Sequence, residues 1–101
     1  MNSFSVLLPN GIPVTCSSRR GVLLLAATNV VFGKYKDDQE KERRGWTAAL
    51  SMMIGEDREK TKAFKVHPGK LVQFDKFTVN VLRIDRSRGG MVVLASVAAE
   101  E

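Results

Sequence analysis

The chain has 101 residues, a net charge of +5, 44% hydrophobic residues and 27% charged residues. This length and composition predict one folded globular domain, residues 1–101, and argue against a disordered chain. No apolar run approaches the roughly 20 residues that a membrane helix needs, so we expect no membrane partner.

The first part of the chain has the pattern of short strands separated by turns. Residues 3–8 are largely apolar, and residues 12–17 alternate apolar with polar side chains. The Pro-Asn-Gly sequence at residues 9–11 between them favours a β-hairpin. Residues 22–27 are continuously apolar, as in a strand buried on both faces. The next strand covers residues 29–35, and its glycine is the kind of residue that marks a β-bulge.

Cys16 and the paired Arg19 and Arg20 bear on where the protein is located. A single cysteine excludes an intrachain disulfide, and Cys16 is interpreted as a small buried apolar group. Two arginines before an apolar run also resemble a twin-arginine export signal. We favour a turn followed by a buried strand, because the run is interrupted at Thr28 and strand patterns already precede it. The predicted location is the cytoplasm.

The middle of the chain leaves the fold class open between two forms. Residues 36–45, KDDQEKERRG, contain almost no apolar side chain and predict a charged loop. Residues 46–54 fit helical spacing and strand alternation equally well, although Ala, Leu and Met favour a helix by propensity. We therefore predict a mainly β domain, a small barrel or two-sheet sandwich of about six to eight strands. The alternative is an α+β domain with one helix within residues 37–54.

The C-terminal part predicts strands again. Strand patterns at residues 63–67 and 70–74 flank a Pro-Gly turn, and a third strand begins at Phe77. The apolar phase of that strand switches by one residue after Val81, which predicts a β-bulge.

Residues 85–90 form the predicted hairpin loop to a last strand. That strand, residues 91–97, is apolar at nearly every position, so we expect it to be central in a sheet or buried in a homodimer interface. The acidic end, residues 98–101, is expected to be frayed.

The predicted core consists of the apolar side chains that are in phase along these strands. They are Phe4, Val6, Val14, Leu24, Phe32, Leu50, Phe64, Val66, Val72, Phe74, Val79, Val81, Ile84, Val93 and Leu94.

Catalytic and metal-binding patterns are missing from the sequence. His67 is the only histidine, and one His with one Cys cannot fill a structural zinc site. It precedes a proline and is interpreted as a turn residue. There is no nucleophile elbow and no phosphate-binding glycine motif. We expect no enzyme activity, no cofactor, no metal site and no small-molecule substrate.

The function that remains is a protein-interaction or regulatory module, as a subunit of a larger assembly. Tyr35, Arg43, Arg44 and Trp46 flank or belong to the charged segment, and they are residue types enriched at interface hot spots. They are the predicted partner-binding residues. The partner is another protein or a second copy of the chain.

The alternative function is binding of single-stranded nucleic acid by a basic β-barrel. In that case the binding residues would be Arg19, Arg20, Lys65, Lys70, Arg86 and Arg88. They would have to converge on one face. Because they lie in separate turns or alternate with apolar residues, we expect them to be scattered.

Overall fold

The computed structural model describes residues 3–18, 21–55, 60–87 and 90–99, and this part of the chain is built of strands without a helix. The strands are β1 (Ser3–Pro9), β2 (Val14–Ser18), β3 (Gly21–Lys36), β4 (Glu42–Ile54), β5 (Thr61–Val66), β6 (Leu71–Phe74), β7 (Phe77–Ser87) and β8 (Gly90–Ala99). The prediction of a mainly β domain is confirmed, and the alternative with a helix is wrong.

The strands form two antiparallel sheets of four strands each. One sheet has the order β1-β8-β7-β6 and the other the order β2-β3-β4-β5. The chain passes between the sheets twice, from β1 to β2 on one side and from β5 to β6 on the other. The result is a small sandwich or flattened barrel with the core between the two sheets.

The predicted hairpin between residues 3–8 and 12–17 is wrong. β1 pairs with β8, whereas β2 pairs with β3 in the other sheet. Gly11, with φ of 82°, turns the chain away, and its N–H donates to the Ala27 carbonyl at 2.7 Å. The Pro-Asn-Gly segment is thus a connection between sheets, because its backbone bonds go to strands distant in sequence.

The region predicted as a charged loop and a helix is mostly β4. Ala48, Leu50 and Met52 alternate toward the core, and β4 pairs with both β3 and β5. These long-range ladders override the helical propensity of the segment. The strands also take up Lys36 and residues 42–45, so that the loop shrinks to the turn at residues 37–41.

About half of the predicted core residues are buried, and two are in the wrong place. Leu50, Val66, Val72, Val79, Val81, Ile84 and Val93 are buried, while Val6, Val14, Phe64 and Phe74 are half-buried against them. Phe4 and Phe32 are instead exposed, by 42% and 54%. In β3 the sequence prediction chose the opposite phase, because Leu23 and Leu25 are buried and Leu24 is only half-buried. In β8 it chose one residue of each phase, and Leu94 is only half-buried.

Two register shifts determine which side chains face the core. The predicted bulge after Val81 is confirmed by a shift between Val81 and Arg83. The bulge expected at Gly33 is wrong, because the shift in β3 lies between Thr28 and Val31. Asn29 has a positive φ of 51° there, which asparagine tolerates better than most residues.

The last strand confirms the expectation of a central position, since β8 lies between β1 and β7. It extends to Ala99, which pairs with Phe77, so residues 98 and 99 are not frayed as predicted. The last two residues lie outside the described part of the chain. On β2, Cys16 is buried as expected, and burial raises the pKa of its thiol.

Candidate binding surface on the β3–β4 arm

Beyond the β3 bulge, the hairpin of β3 and β4 forms a two-stranded arm, which we define as residues 31–47. Six consecutive pairs join its strands, from Val31 with Thr47 to Lys36 with Glu42. The pairing of β2 with β3 ends at Leu25, and that of β5 with β4 ends at Ala48. In the described part of the chain, the arm strands therefore pair only with each other.

The turn of the arm determines which of its cross-strand pairs are hydrogen-bonded. The Asp37 N–H donates to the Lys41 carbonyl at 3.0 Å, and antiparallel pairs alternate between bonded and non-bonded types. The pairs of Gly33 with Gly45 and of Tyr35 with Arg43 are therefore hydrogen-bonded. Phe32 and Trp46 form a non-hydrogen-bonded pair, the type in which facing side chains come closest.

One side of the arm carries an aromatic pair of which Phe32 is exposed. The rings of Phe32 and Trp46 meet edge to face with centroids 5.4 Å apart, and the Arg44 guanidinium lies 5.8 Å from the Phe32 centroid. Lys34 lies on the same side, because alternate residues of a strand share a face. We call Phe32, Lys34, Arg44 and Trp46 the aromatic face.

The aromatic face continues the inner face of its sheet. Trp46 is in phase with the buried Ala48 and Leu50, and it packs half-buried against the core. Phe32 lies beyond the end of the core and remains 54% exposed. The core thus supports the aromatic pair through Trp46, while Phe32 presents its ring to solvent.

The opposite side of the arm is held against the β5–β6 turn by a second cluster. The Tyr35 ring stacks on His67 with centroids 4.9 Å apart and 21° between the planes. Tyr35 also lies over Gly45, where an added Cβ would come within 3.6 Å of the ring. We call Tyr35, Asp38, His67 and Lys70 the clasp, because they join the tip of one sheet to the turn that leads into the other.

Asp38 is the charged centre of the clasp. It accepts a hydrogen bond from Lys70 Nζ at 2.6 Å, and its Oδ1 lies 3.7 Å from His67 Nε2. His67 Nδ1 donates to the Pro68 carbonyl at 2.9 Å, while Nε2 is buried without a hydrogen-bond partner in the described structure. The hydrogen bond from Lys70, together with the charge of Lys70, lowers the pKa of Asp38.

Asp37 organises the turn itself. Its Oδ1 accepts the N–H groups of Gln39 and Lys41, both at 2.9 Å, and its Oδ2 accepts Arg43 Nε at 2.9 Å. The hydrogen bond from Arg43 lowers the pKa of Asp37, and the same bond raises the pKa of Arg43. Arg43 therefore stabilises the tip of the arm.

We expect Asp38→Asn to lower the melting temperature at neutral pH and to have little effect in acid. The ordinary pKa of aspartate is about 3.9, and that of Asp38 is lower in the folded chain. A lowered pKa stabilises the fold above the ordinary value, and this contribution is lost as the pH falls through the lowered value. Thermal unfolding at neutral pH and at about pH 2–3 measures the difference.

Glu40→Gln is the matched control for that experiment, because it removes a negative charge from the same turn. The tip of the arm shows no side-chain partner for Glu40 among the described residues. We expect its melting temperature to follow that of the wild type at both pH values. An equal loss for Asp38→Asn in neutral and acidic solution would contradict the electrostatic role of Asp38.

A cleft of about 560 Å³ lies between the arm tip and the β5–β6 turn. Its walls carry both signs of charge, with Lys65 and Lys70 near Asp38 and Glu40. The described residues contain no group of three His, Cys, Asp or Glu side chains that could hold a metal ion.

The four predicted partner-binding residues divide between the two sides of the arm. Arg44 and Trp46 belong to the aromatic face, whereas Tyr35 and Arg43 serve the clasp and the turn. The sequence prediction missed Phe32, which it assigned to the core. Strand alternation through Trp46, followed back across a hairpin turn at residues 37–41, would have placed Phe32 opposite it.

The residues of the nucleic-acid alternative are found in different places. Lys65 lies on β5 at the edge of one sheet, and Arg86 lies on β7 in the other. Lys70 is paired with Asp38. Arg19, Arg20 and Arg88 lie outside the described residues.

Comparison of the chain with family models, with curated proteins and with solved structures gives no match. No helix in the described ranges has the length and apolar character to cross a membrane. The geometry of the arm is therefore the basis for a functional proposal.

Proposed function

We propose that this protein is a non-enzymatic interaction module that binds a polypeptide partner through the aromatic face. The observation that carries the proposal is the 54% exposure of Phe32, whose ring meets the supporting ring of Trp46 edge to face. A phenylalanine with a firm aromatic base and an adjacent arginine has the composition of an interface hot spot. Its burial by a partner would remove a large apolar surface from water.

The charges around the aromatic face favour an apolar partner surface with an acidic rim. Arg44 and Lys36 have no carboxylate partner in the described structure, whereas Lys34 lies 3.8 Å from Glu42. The Lys34–Glu42 pair is solvent-exposed and therefore weak, so Lys34 is also free to contact a partner. An acidic rim on the partner would steer its approach and increase the association rate.

A polypeptide is favoured over single-stranded nucleic acid for two reasons. The basic residues of that alternative do not include any residue of the aromatic face. The arm also carries Asp37, Asp38, Glu40 and Glu42 among its cations, so these cations do not form the continuous basic groove that follows a nucleic-acid backbone. We place the module in the cytoplasm, which suits a lone buried thiol.

Phe32→Ser is expected to abolish partner binding without unfolding the protein. The test is quantitative affinity capture from nuclease-treated lysate of the source cells, comparing the wild type with the variant. Leu7→Ser is the matched control, since Leu7 on β1 is 58% exposed and belongs to the other sheet. Proteins retained by the wild type and the control and lost with Phe32→Ser support the proposal.

The purified wild-type protein and the purified Phe32→Ser variant are also titrated with mixed-sequence DNA and RNA oligonucleotides at two salt concentrations. If the protein binds an oligonucleotide at micromolar concentration, if this binding weakens steeply with salt, and if it is lost with Phe32→Ser, the ligand of the aromatic face is single-stranded nucleic acid and not a polypeptide. A set of captured proteins that is unchanged by Phe32→Ser would also contradict the proposal.

A further inference from the structure

We propose that the β3 strand of the arm pairs antiparallel with the same strand of a second copy of this chain. The two arms would form one four-stranded sheet with the order β4-β3-β3-β4. This inference goes beyond the proposed function, because it names a second copy of the chain as the occupant of another part of the arm. It concerns the edge of the arm, whereas the proposed function concerns its aromatic face.

The hydrogen-bond phase shows which backbone groups face the β3 edge. Because Gly33 and Tyr35 bond to β4, the N–H and C=O groups of Phe32, Lys34 and Lys36 point away from β4. β2 ends well before this stretch. Among the described residues no strand lies beside the outward groups of these three alternate residues, and such a free edge is what strand addition requires.

The other sheet edges carry features that discourage pairing with another chain. β6 has four residues and β2 has five, and short edge strands offer few backbone bonds. β1 ends at Pro9, and β5 carries Lys62 and Lys65. The free part of β3, residues 31–36, also carries two lysines, Lys34 and Lys36. It is nevertheless six residues long, contains no proline, and has no strand paired to this edge in the described part of the chain.

A two-fold axis through Gly33 gives a favourable register for two copies of this edge. Phe32 then faces Lys34 of the second copy, and Val31 faces Tyr35 of the second copy. In this register Phe32 and Lys34, whose N–H and C=O groups point outward, face Lys34 and Phe32 of the second copy. The two strands can therefore exchange backbone hydrogen bonds. Moving the axis to Lys34 would place two lysines directly opposite each other, which is unfavourable.

Gly33 fits the centre of this arrangement. Its φ is not in the left-handed region, and a Cβ added there meets no atom within 4 Å. The axis is perpendicular to the sheet, so the two aromatic faces lie on the same side. The dimer would therefore present two neighbouring Phe32–Trp46 pairs to a further partner.

Gly33→Cys is the direct test of this register. The facing Cα atoms of a non-hydrogen-bonded pair are about 4.5 Å apart, within the range of about 4.4–6.8 Å that a disulfide spans. We expect mild oxidation to give a covalent dimer in high yield. Leu7→Cys, at an exposed β1 position, is the control and is expected to form no disulfide-linked dimer. A monomeric Gly33→Cys protein would overturn the register.

Lys34→Pro tests the edge without disturbing the arm. The Lys34 N–H points away from β4, so proline removes a bond to the second copy and none within the chain. Sedimentation from about 10 µM to 1 mM covers the range of weak complexes. The wild type and Lys34→Ala are expected to dimerise in this range, and Lys34→Pro to remain monomeric. Circular dichroism shows whether Lys34→Pro is folded.

The outcomes separate this inference from the proposed function. A wild type that is monomeric throughout, or a folded Lys34→Pro that still dimerises, overturns the pairing of the β3 edges. Either result leaves the Phe32-dependent capture of other proteins unaffected. If Lys34→Pro does not fold, the disulfide of Gly33→Cys decides the question alone.

Discussion

Val79→Asp is expected to abolish folding. Val79 is fully buried in β7, with Val72 of β6 opposite on one side and Val97 of β8 on the other. An unpaired carboxylate at this position would cost several kcal/mol, of about 5–15 kcal/mol that stabilise a typical domain. The measurement is thermal unfolding by circular dichroism, in which the variant should show no cooperative transition.

Leu82→Asp is the matched control for Val79→Asp, because it introduces the same charge into the same strand. Leu82 lies at the bulge and is 43% exposed, so we expect its unfolding free energy to change by less than about 1 kcal/mol. A normal melting curve for Val79→Asp would mean that the wrong face of β7 has been assigned to the core.

The strand containing Val79 is the part of the fold that the sequence predicts best. Val79 and Val81 are buried, and Ile84 is buried on the other side of the confirmed phase switch. Alternating polar residues report the phase of a strand, and a single break in that alternation reports a bulge. Where both signals are present, local pattern is sufficient to assign a face.

β3 lacks those signals, and the prediction fails there for a physical reason. A continuous apolar run such as residues 22–27 contains no alternation, so Leu24 and Leu25 are equivalent in the sequence. The pairing of β3 with β2 and β4 then decides that Leu25 is buried. The bulge before Val31 shifts the phase again, which places Phe32 on the inner face opposite Trp46, but at a point past the end of the core.

Local sequence pattern cannot predict the clasp, because its residues come from separate turns of the chain. Asp38 and Lys70 are 32 positions apart in the chain. Their contact depends on two connections, the β3–β4 turn and the crossing from β5 to β6. The sequence showed no partner for His67 at a useful spacing, yet the fold places Tyr35 and Asp38 beside it. Residues of the same turn did carry a local signal, since Asp37 bonds within its own turn.

Trp46 connects the stability of the fold to the proposed binding surface. It packs against the core on one side and against Phe32 on the other. A partner that contacts Phe32 therefore meets a ring supported by the rigid interior of the sandwich. This arrangement lowers the conformational entropy lost on binding, because the supporting side chain is already ordered in the free protein.

Phe77→Ala and Phe32→Ala are expected to separate stability from binding. Phe77 is 1% exposed, and truncation of a buried phenylalanine costs about 3–5 kcal/mol. Phe32 is 54% exposed, so its truncation should cost less than about 1 kcal/mol while partner capture is lost. Urea unfolding measures the stability of both variants, and we expect a lower midpoint for Phe77→Ala at an unchanged slope. If Phe32→Ala lost as much stability as Phe77→Ala, Phe32 would be a core residue, and the aromatic face would not be available to a partner.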